Sequence, residues 1–243
     1  TDRLSTKKIY IWRSAGGTIL LATELWALLG HPEAPREIDP MAVEQFLITS
    51  HLIDCRSLIR DVQILPPGTI THIDRSGLSF YSYWTPRIEP AHDDNGLNAW
   101  ADRLADVLSP AVKARCRDVP PLLPLSGGLD SRSIAAFIPP PLGAAATASS
   151  FGHSHCYDVR YGRRVARVLG AAFKFLPLPD DFFCRYLESV HALCDGEVSI
   201  EALPMYRLIE MGLPGQTMLM GYLGDALSGA HLLGLEHIQN TPD

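Results

Sequence analysis

The sequence is poor in the residues and runs that would mark a metal, disulfide, membrane or nucleic-acid protein. Its five cysteines, Cys55, Cys116, Cys156, Cys184 and Cys194 in 243 residues, are odd in number and include no C-x-x-C pair. That argues against a paired-cysteine zinc site and against a disulfide framework, which belongs to short secreted chains. The nearest thing to a ligand cluster is His153-x-His155 beside Cys156, and polar loop residues after a strand explain it more simply. No apolar run approaches the ~20 residues that span a bilayer, because Pro139-Pro140-Pro141 interrupts the longest candidate. A signal-peptide pattern is also missing, so a reducing cytoplasm is the expected compartment. The formal charge of -6 disfavours a general nucleic-acid surface, which needs a clustered basic face. Arg160, Arg163, Arg164 and Arg167 share one side of a predicted helix and read as a solvated face. Neither nucleic acid nor membrane is an expected partner.

What remains is an ordinary globular composition, 47% hydrophobic and 20% charged, enough for one large domain or two small ones. Both ends read as cut. The chain opens with Thr1-Asp2-Arg3-Leu4 inside a turn that runs into a strand, and it stops at Thr241-Pro242-Asp243 without a closing element. A fragment of a longer protein is expected.

Two rhythms divide the chain. Residues 8–12 and 17–22 predict a hairpin around Ser14-Ala15-Gly16-Gly17. Thr23 is placed to cap a short helix through Leu29 that Gly30 ends. Asp39-Pro40 predicts an N-cap with proline at the first helical position, opening a helix to about Leu47. Residues 61–84 supply two more strands around Pro66-Pro67-Gly68 and Asp74-Arg75-Ser76-Gly77. An antiparallel sheet fits this half. The polar, proline-containing stretch Pro86–Asn95 suggests a boundary, giving domains 1–90 and 91–243. Beyond it, helical periodicity from Leu97 to Arg117 precedes the strand Leu122–Leu125 and a helix Ser131–Ile138. A strand Ala145–Phe151, a helix Tyr157–Leu169 and a strand Phe173–Leu176 follow. Helices near 180–193 and 201–212 and a strand Thr217–Met220 complete the pattern. Strands alternating with helices predict an α/β, doubly wound parallel sheet.

The chemistry concentrates at Ser126-Gly127-Gly128-Leu129-Asp130-Ser131, between the apolar strand and the helix. Two glycines let the backbone turn tightly and approach a ligand. Free N–H groups and the positive end of the helix dipole favour an anion there. Ser126 and Ser131 add hydroxyls, and Asp130 adds a carboxylate suited to Mg²⁺. The string is neither a Walker A loop nor a G-x-G-x-x-G turn. It is the signature of the ATP-pyrophosphatase (PP-loop) superfamily, whose members cleave ATP between its α and β phosphates. That resemblance makes Ser126, Gly127, Gly128, Leu129, Asp130 and Ser131 the expected pyrophosphate site.

Three further segments narrow the resemblance. Asp2-Arg-Leu-Ser-Thr-Lys-Lys-Ile-Tyr10, Ala22-Thr-Glu-Leu-Trp-Ala-Leu-Leu29 and Leu65-Pro-Pro-Gly68 with Tyr83-Trp84 resemble the closing segments of class II glutamine amidotransferase domains. In order and spacing, with the phosphate loop, they are similar to glutamine-hydrolysing asparagine synthetases across nearly the whole chain. Met220-Gly-Tyr-Leu-Gly-Asp225-Ala-Leu-Ser-Gly-Ala-His231 resembles that family's second acidic loop. The resemblance implies that Asp225 joins Asp130 on the Mg²⁺ of ATP, and that Gly152 and Gly221 lie near the nucleotide. It implies an adenine nucleotide alpha hydrolase-like fold for 91–243, and for 1–90 the end of an amidotransferase domain without its N-terminal cysteine nucleophile. No glutaminase chemistry is therefore expected of residues 1–90.

Two departures matter. Tyr222 stands where asparagine synthetases carry Glu, a change that resembles β-lactam synthetases, and Arg132 stands where Ser is commoner. The expected function is an ATP-dependent synthetase that adenylates a carboxylate and passes it to an amine, with Asp130 and Tyr222 as its catalytic residues. A macrolactam (lasso peptide) or β-lactam-type cyclase and an inactive nucleotide-binding relic remain as alternatives. The expected ligands are ATP and Mg²⁺. The expected partners are a small-molecule or peptide carboxylate, an amine donor and, as an oligomer, a homodimer.

Overall fold

The computed structural model describes residues 1–75, 77–87, 96–116, 118–198, 200–212, 216–221 and 224. The chain divides into two compact units. The first comprises Thr1–His92 together with Phe183–Leu203, and the second comprises Asp93–Phe182 and Pro204–Asp243. The chain returns to the first unit for residues 183–203.

In the first unit, β1 (Tyr10–Arg13) is the middle strand of an antiparallel sheet, with β2 (Ile19–Ala22) on one side and β3 (Gln63–Ile64) on the other. Tyr10 pairs with Ala22 and with Ile64, so the predicted hairpin forms. Its turn closes through the Thr18 carbonyl, which accepts from the Ser14 N–H at 2.8 Å. The helix α1 (Leu25–Leu29) is capped by Glu24 rather than Thr23, with no side-chain cap bond, and Gly30 follows it. The cap of α2 (Pro40–Thr49) is as expected: Asp39 accepts from the Met41 N–H at 3.0 Å, and Pro40 fills the first helical position. Tyr10, Trp12, Leu25, Leu28, Ala34 and Val62 form the core of this unit. A separate hairpin joins β4 (Thr69–Asp74) to β5 (Gly77–Ser82).

The returning segment begins with α7 (Phe182–Leu193). It is fastened to the first unit by polar contacts. Glu197 Oε2 accepts from Lys8 Nζ at 2.6 Å and from the Tyr10 hydroxyl at 2.8 Å. Asp195 accepts from the Trp26 N–H at 3.2 Å. Burial and the Glu197 carboxylate hold the Tyr10 phenol well above its usual range.

In the second unit, α3 (Gly96–Arg115) leads to β6 (Leu122–Pro124). Then follow α4 (Leu129–Ala136), α5 (Pro140–Ala145), β7 (Thr147–Gly152), α6 (Tyr157–Leu169) and β8 (Ala172–Pro177). The strands run parallel in the order β6-β7-β8. On the free side of β6, Met218 forms a parallel bridge to Leu122. The expected strand 217–220 is reduced to this bridge and its two hydrogen bonds, Leu122 N–H to Thr217 O and Leu219 N–H to Leu122 O. The sheet thus grows outward from β6 in both directions, which is the doubly wound arrangement. Pro139–Pro141 does not break the chain but starts α5, because proline at the first helical turn loses no needed donor. The expected helix 201–212 is a 3₁₀ turn, Ile200–Met205, followed by the short α8 (Tyr206–Ile209); Pro204 lies inside the 3₁₀ stretch and cannot donate to it.

Leu123, Leu125, Ala135, Ala146, Ala148, Ala166 and Leu219 close the core between sheet and helices. Each fully buried leucine contributes about 1.5–3 kcal/mol. Among the described residues no helix is long and apolar enough to cross a membrane.

Candidate functional site

In an open parallel sheet the ligand crevice lies beyond the strand ends where the winding changes direction. Here that point is the end of β6, and the phosphate-loop sequence occupies it. Leu122, Leu123 and Leu125 are buried and fix the strand, so the chain emerges at Ser126 in one position.

The loop is shaped by close packing. Gly127 has φ +75, and a β-carbon there would run into the side chain and backbone of Tyr161. One turn of α6 therefore braces the loop from behind. Gly162, next in that helix, would clash through any β-carbon with the Leu125 carbonyl and Ser150 Oγ. Ser150 Oγ donates to the Leu125 carbonyl, and the Leu125 N–H donates to Ser149 O at 2.8 Å. Gly128 begins α4 with no side-chain cap, so the N–H groups of the first turn are left for another partner. The Gly128 N–H itself points to Ser126 Oγ at 3.2 Å. Ser126 Oγ and Ser131 Oγ lie 3.3 Å apart, and Ser131 Oγ donates to Gly128 O at 3.2 Å. Asp130 sits in the first turn of α4.

Above the loop runs a cleft of about 200 Å³. Its lining combines the hydroxyls of Ser126 and Ser131, the Asp130 carboxylate, Gly128 and Gly221 with apolar Pro124, Phe151, Met205 and Met220. Gly221 and Gly224 press against the loop aspartate: their β-carbons would lie 2.6 Å from Asp130 Cβ and from Asp130 Cγ, respectively. The two sequence segments singled out, the phosphate loop and the glycine-rich stretch after residue 220, are thus brought together. Tyr222 and Asp225 lie outside the described residues. Gly127 and Leu129 shape the loop without lining the cleft. Gly152 ends β7 at φ +121 beside Cys156 Sγ, and the cleft takes Ser149, Ser150 and Phe151 from that strand instead.

The arrangement fits an anion with a hard cation. Among the described residues no group of three or more His, Cys, Asp or Glu could hold a metal alone. A cation at Asp130 would draw its other ligands from phosphate oxygens and water, as Mg²⁺ commonly does.

Comparison with known proteins agrees with this geometry. Residues 103–240 match the family model for asparagine synthase, and residues 1–84 match that for a glutamine amidotransferase domain. The chain belongs to the asparagine synthase family. It is 28% identical over 140 residues to asparagine synthetase [glutamine-hydrolyzing] 3 of Bacillus subtilis. That alignment takes in 56% of this chain and 22% of the relative, so the chain spans well under half of the synthetase it resembles.

Relative to the family motifs, the cleft adds residues the sequence reading missed. Asp158, from the first turn of α6, and Ser149, from the middle of β7, both line it. The only prior signal was Gly162, since a glycine inside a helix usually marks a close backbone approach. Nothing in the sequence marked Ser149.

Proposed function

We propose that this chain carries the nucleotide-activating half of an ATP-dependent, amide-bond-forming synthetase. A substrate carboxylate oxygen attacks the α-phosphorus of ATP, the bond to the β-phosphate oxygen breaks, and pyrophosphate leaves. An amine then attacks the acyl carbon, AMP departs with the carbon–oxygen bond pair, and the amine loses a proton. The observation that carries this reading is the loop Ser126–Ser131: an uncapped helix start with two hydroxyls and one carboxylate, at the sheet's switch point.

Each residue has a task in that scheme. The first-turn N–H groups of α4 and the hydroxyls of Ser126 and Ser131 hold the departing pyrophosphate, where negative charge accumulates. Gly127 and Gly128 keep the backbone low enough for the phosphates to approach. Asp130 orients a Mg²⁺ whose charge, when bound, stabilises the phosphate oxygens. Asp225, matched to the family's second acidic loop, is its expected companion ligand. Tyr222, from the same loop, is the expected partner of the attacking amine.

A second reading has one observation behind it. Tyr222 in place of Glu favours a bulky or tethered amine, as in a macrolactam or β-lactam-type cyclase, over free ammonia. Its test is given below.

The scheme is tested by ATP–pyrophosphate exchange in the intact protein, with a panel of carboxylates. Carboxylate-dependent exchange of labelled pyrophosphate into ATP is expected. Tight Mg·ATP binding with no exchange for any carboxylate would instead identify an inactive nucleotide-binding relic.

A further inference from the structure

The outer sides of α4 and α6 form a groove that the synthetase scheme leaves unused. It holds about 450 Å³, and its lining includes Arg132 and Ala136 from α4 and Tyr161, Arg164, Val165 and Val168 from α6. The helical repeat puts these side chains outside. Val159, Gly162 and Ala166 are the buried positions of α6. Tyr157, Tyr161, Arg164 and Val168, at i, i+4, i+7 and i+11, therefore fall on the opposite side. Val168 is 87% exposed, Tyr157 71% and Tyr161 43%, and Leu129 on α4 is 74% exposed. The Tyr157 and Tyr161 rings stack with centroids 6.1 Å apart. Single apolar residues on a surface need no explanation, but an apolar row with a polar rim marks a docking surface.

The rim has one sign. Residues 157–169 hold four arginines and one aspartate, a local charge of +3 in a chain whose net charge is -6. Arg132 adds a positive charge from α4. Among the described residues none of these five arginines forms an ion pair. Arg164 lies over the Tyr161 ring at 5.9 Å, and Arg132 Nε donates to the Gly128 carbonyl at 3.2 Å. Both guanidinium groups are thus held at the apolar row with donors to spare. Tyrosine and arginine are the residues enriched where protein surfaces meet. An apolar row beside unpaired arginines fits a partner of the opposite pattern, apolar side chains flanked by carboxylates. Nucleic acid fits it less well, because Val165, Val168 and Leu129 offer nothing to a phosphate backbone.

We propose that the groove between α4 and α6 docks an acidic amphipathic segment of a partner protein, its carboxylates on Arg132 and Arg164 and its apolar side chains on Tyr157, Tyr161 and Val168. The groove adjoins the phosphate loop without belonging to it: Tyr161 packs behind Gly127, and Arg132 holds the Gly128 carbonyl. The partner is thereby brought beside the loop. This inference is independent of the synthetase reading.

Its test uses the intact protein and two synthetic helices of about 15 residues, each with one leucine stripe, flanked by glutamates in the first and by lysines in the second. Fluorescence anisotropy should show the glutamate helix binding at least about tenfold more tightly than the lysine helix. Its affinity should fall several-fold between ~0.05 M and ~0.3 M salt. Arg164→Glu should reverse the preference. Val168→Ser should weaken the glutamate helix about threefold or more with no change of charge. Arg115→Glu, the same charge change on α3 outside the groove, should leave both affinities within about twofold. These are surface positions, so thermal melts should be unchanged. Equal affinity for the two helices, or no binding of either to the intact protein, overturns the inference. So does an Arg164→Glu effect no larger than that of Arg115→Glu. A uridine oligonucleotide that binds more tightly than the glutamate helix would assign the groove to nucleic acid instead. A dimer seen by sedimentation and dissociated by Arg164→Glu would assign it to a second copy of the chain.

Discussion

Gly224 lies against the carboxylate of Asp130, so closely that a β-carbon on Gly224 would be 2.6 Å from Asp130 Cγ and 2.8 Å from Oδ2. Gly221 approaches from the same stretch, and its β-carbon would meet the Asp130 carbonyl carbon and the Ser131 nitrogen at 2.9 Å each. Two loops far apart in sequence thus fix one carboxylate by backbone contact alone. The family motif around residue 220 has a steric role besides any ligand it supplies.

Gly221→Ala should therefore displace the first turn of α4, since the atoms it meets are Asp130 Cβ and the backbone of Asp130 and Ser131, none of which can rotate away. Displacements of about 1 Å in such sites cost up to 10²-fold in function. We expect Mg-dependent pyrophosphate binding to fall by at least tenfold, with a smaller loss of stability. Isothermal titration beside a thermal melt measures both, and unchanged binding would show that the loops do not constrain Asp130.

Asp130→Asn should leave the fold intact, since Asp130 is only half-buried and belongs to no core cluster. In the intact protein it should abolish ATP–pyrophosphate exchange, and Asp225→Asn should do the same. Loss of an anionic ligand to Mg²⁺ costs several kcal/mol of transition-state stabilisation. Exchange within a few-fold of wild type in both variants would mean that the metal is held elsewhere.

The anchoring of residues 183–203 has its own signature. Tyr10 is buried and donates to Glu197 at 2.8 Å, and the second oxygen of Glu197 has no partner among the described residues. Tyr10→Phe should destabilise the first unit by about 1–3 kcal/mol, because it removes one of the two donors to a buried carboxylate. The pH dependence is also fixed in sign. The folded phenol is held above its usual range by burial and by Glu197, whereas an unfolded tyrosine ionises near pH 10. Below about pH 10 both states keep the proton and the stabilisation is complete; above it the unfolded state sheds the proton first, so stability falls as pH rises. Urea melts of wild type and Tyr10→Phe should differ most below pH 10 and converge above it. The thiols of Cys55, Cys116 and Cys194, also raised by burial, cancel in that difference.

The parts of the molecule governed by local chemistry were legible in the sequence. Asp39-Pro40 capped its helix, α6 spans Tyr157–Leu169 as its periodicity predicts, and the phosphate loop sits at the end of β6. What was not legible depends on distant partners. The 217–220 segment has strand composition but, among the described residues, bridges only to Leu122. Residues 183–203 join the first unit through Lys8, Tyr10 and Trp26, contacts more than 160 positions away that no local pattern encodes. Ser149 looks like any strand serine until its neighbours are known. Loop and cap residues carry their instructions with them, whereas a buried hydroxyl acquires meaning only from what surrounds it.

Tyr222 bears the most specific functional prediction, although it falls outside the described residues. Its sequence neighbours Gly221 and Gly224 both meet Asp130. A Glu at this position is anionic at neutral pH and can orient ammonia or neutralise charge at the acyl-adenylate. A phenol with pKa near 10 stays neutral there and cannot replace it as an anion. It can donate a hydrogen bond to a substrate amine or accept one from it, and relay the proton onward to a carboxylate, which suits a bulky amine held beside the acyl group. We therefore expect Tyr222→Phe in the intact protein to leave carboxylate-dependent pyrophosphate exchange nearly unchanged. Amide formation should slow by roughly 10²-fold or more, the usual scale for losing a proton-transfer partner. Measuring exchange and amide product in parallel separates the two steps. Efficient asparagine production from aspartate and ammonia by the wild-type protein, indifferent to Tyr222→Phe, would overturn the assignment and return the chain to ammonia-dependent synthesis.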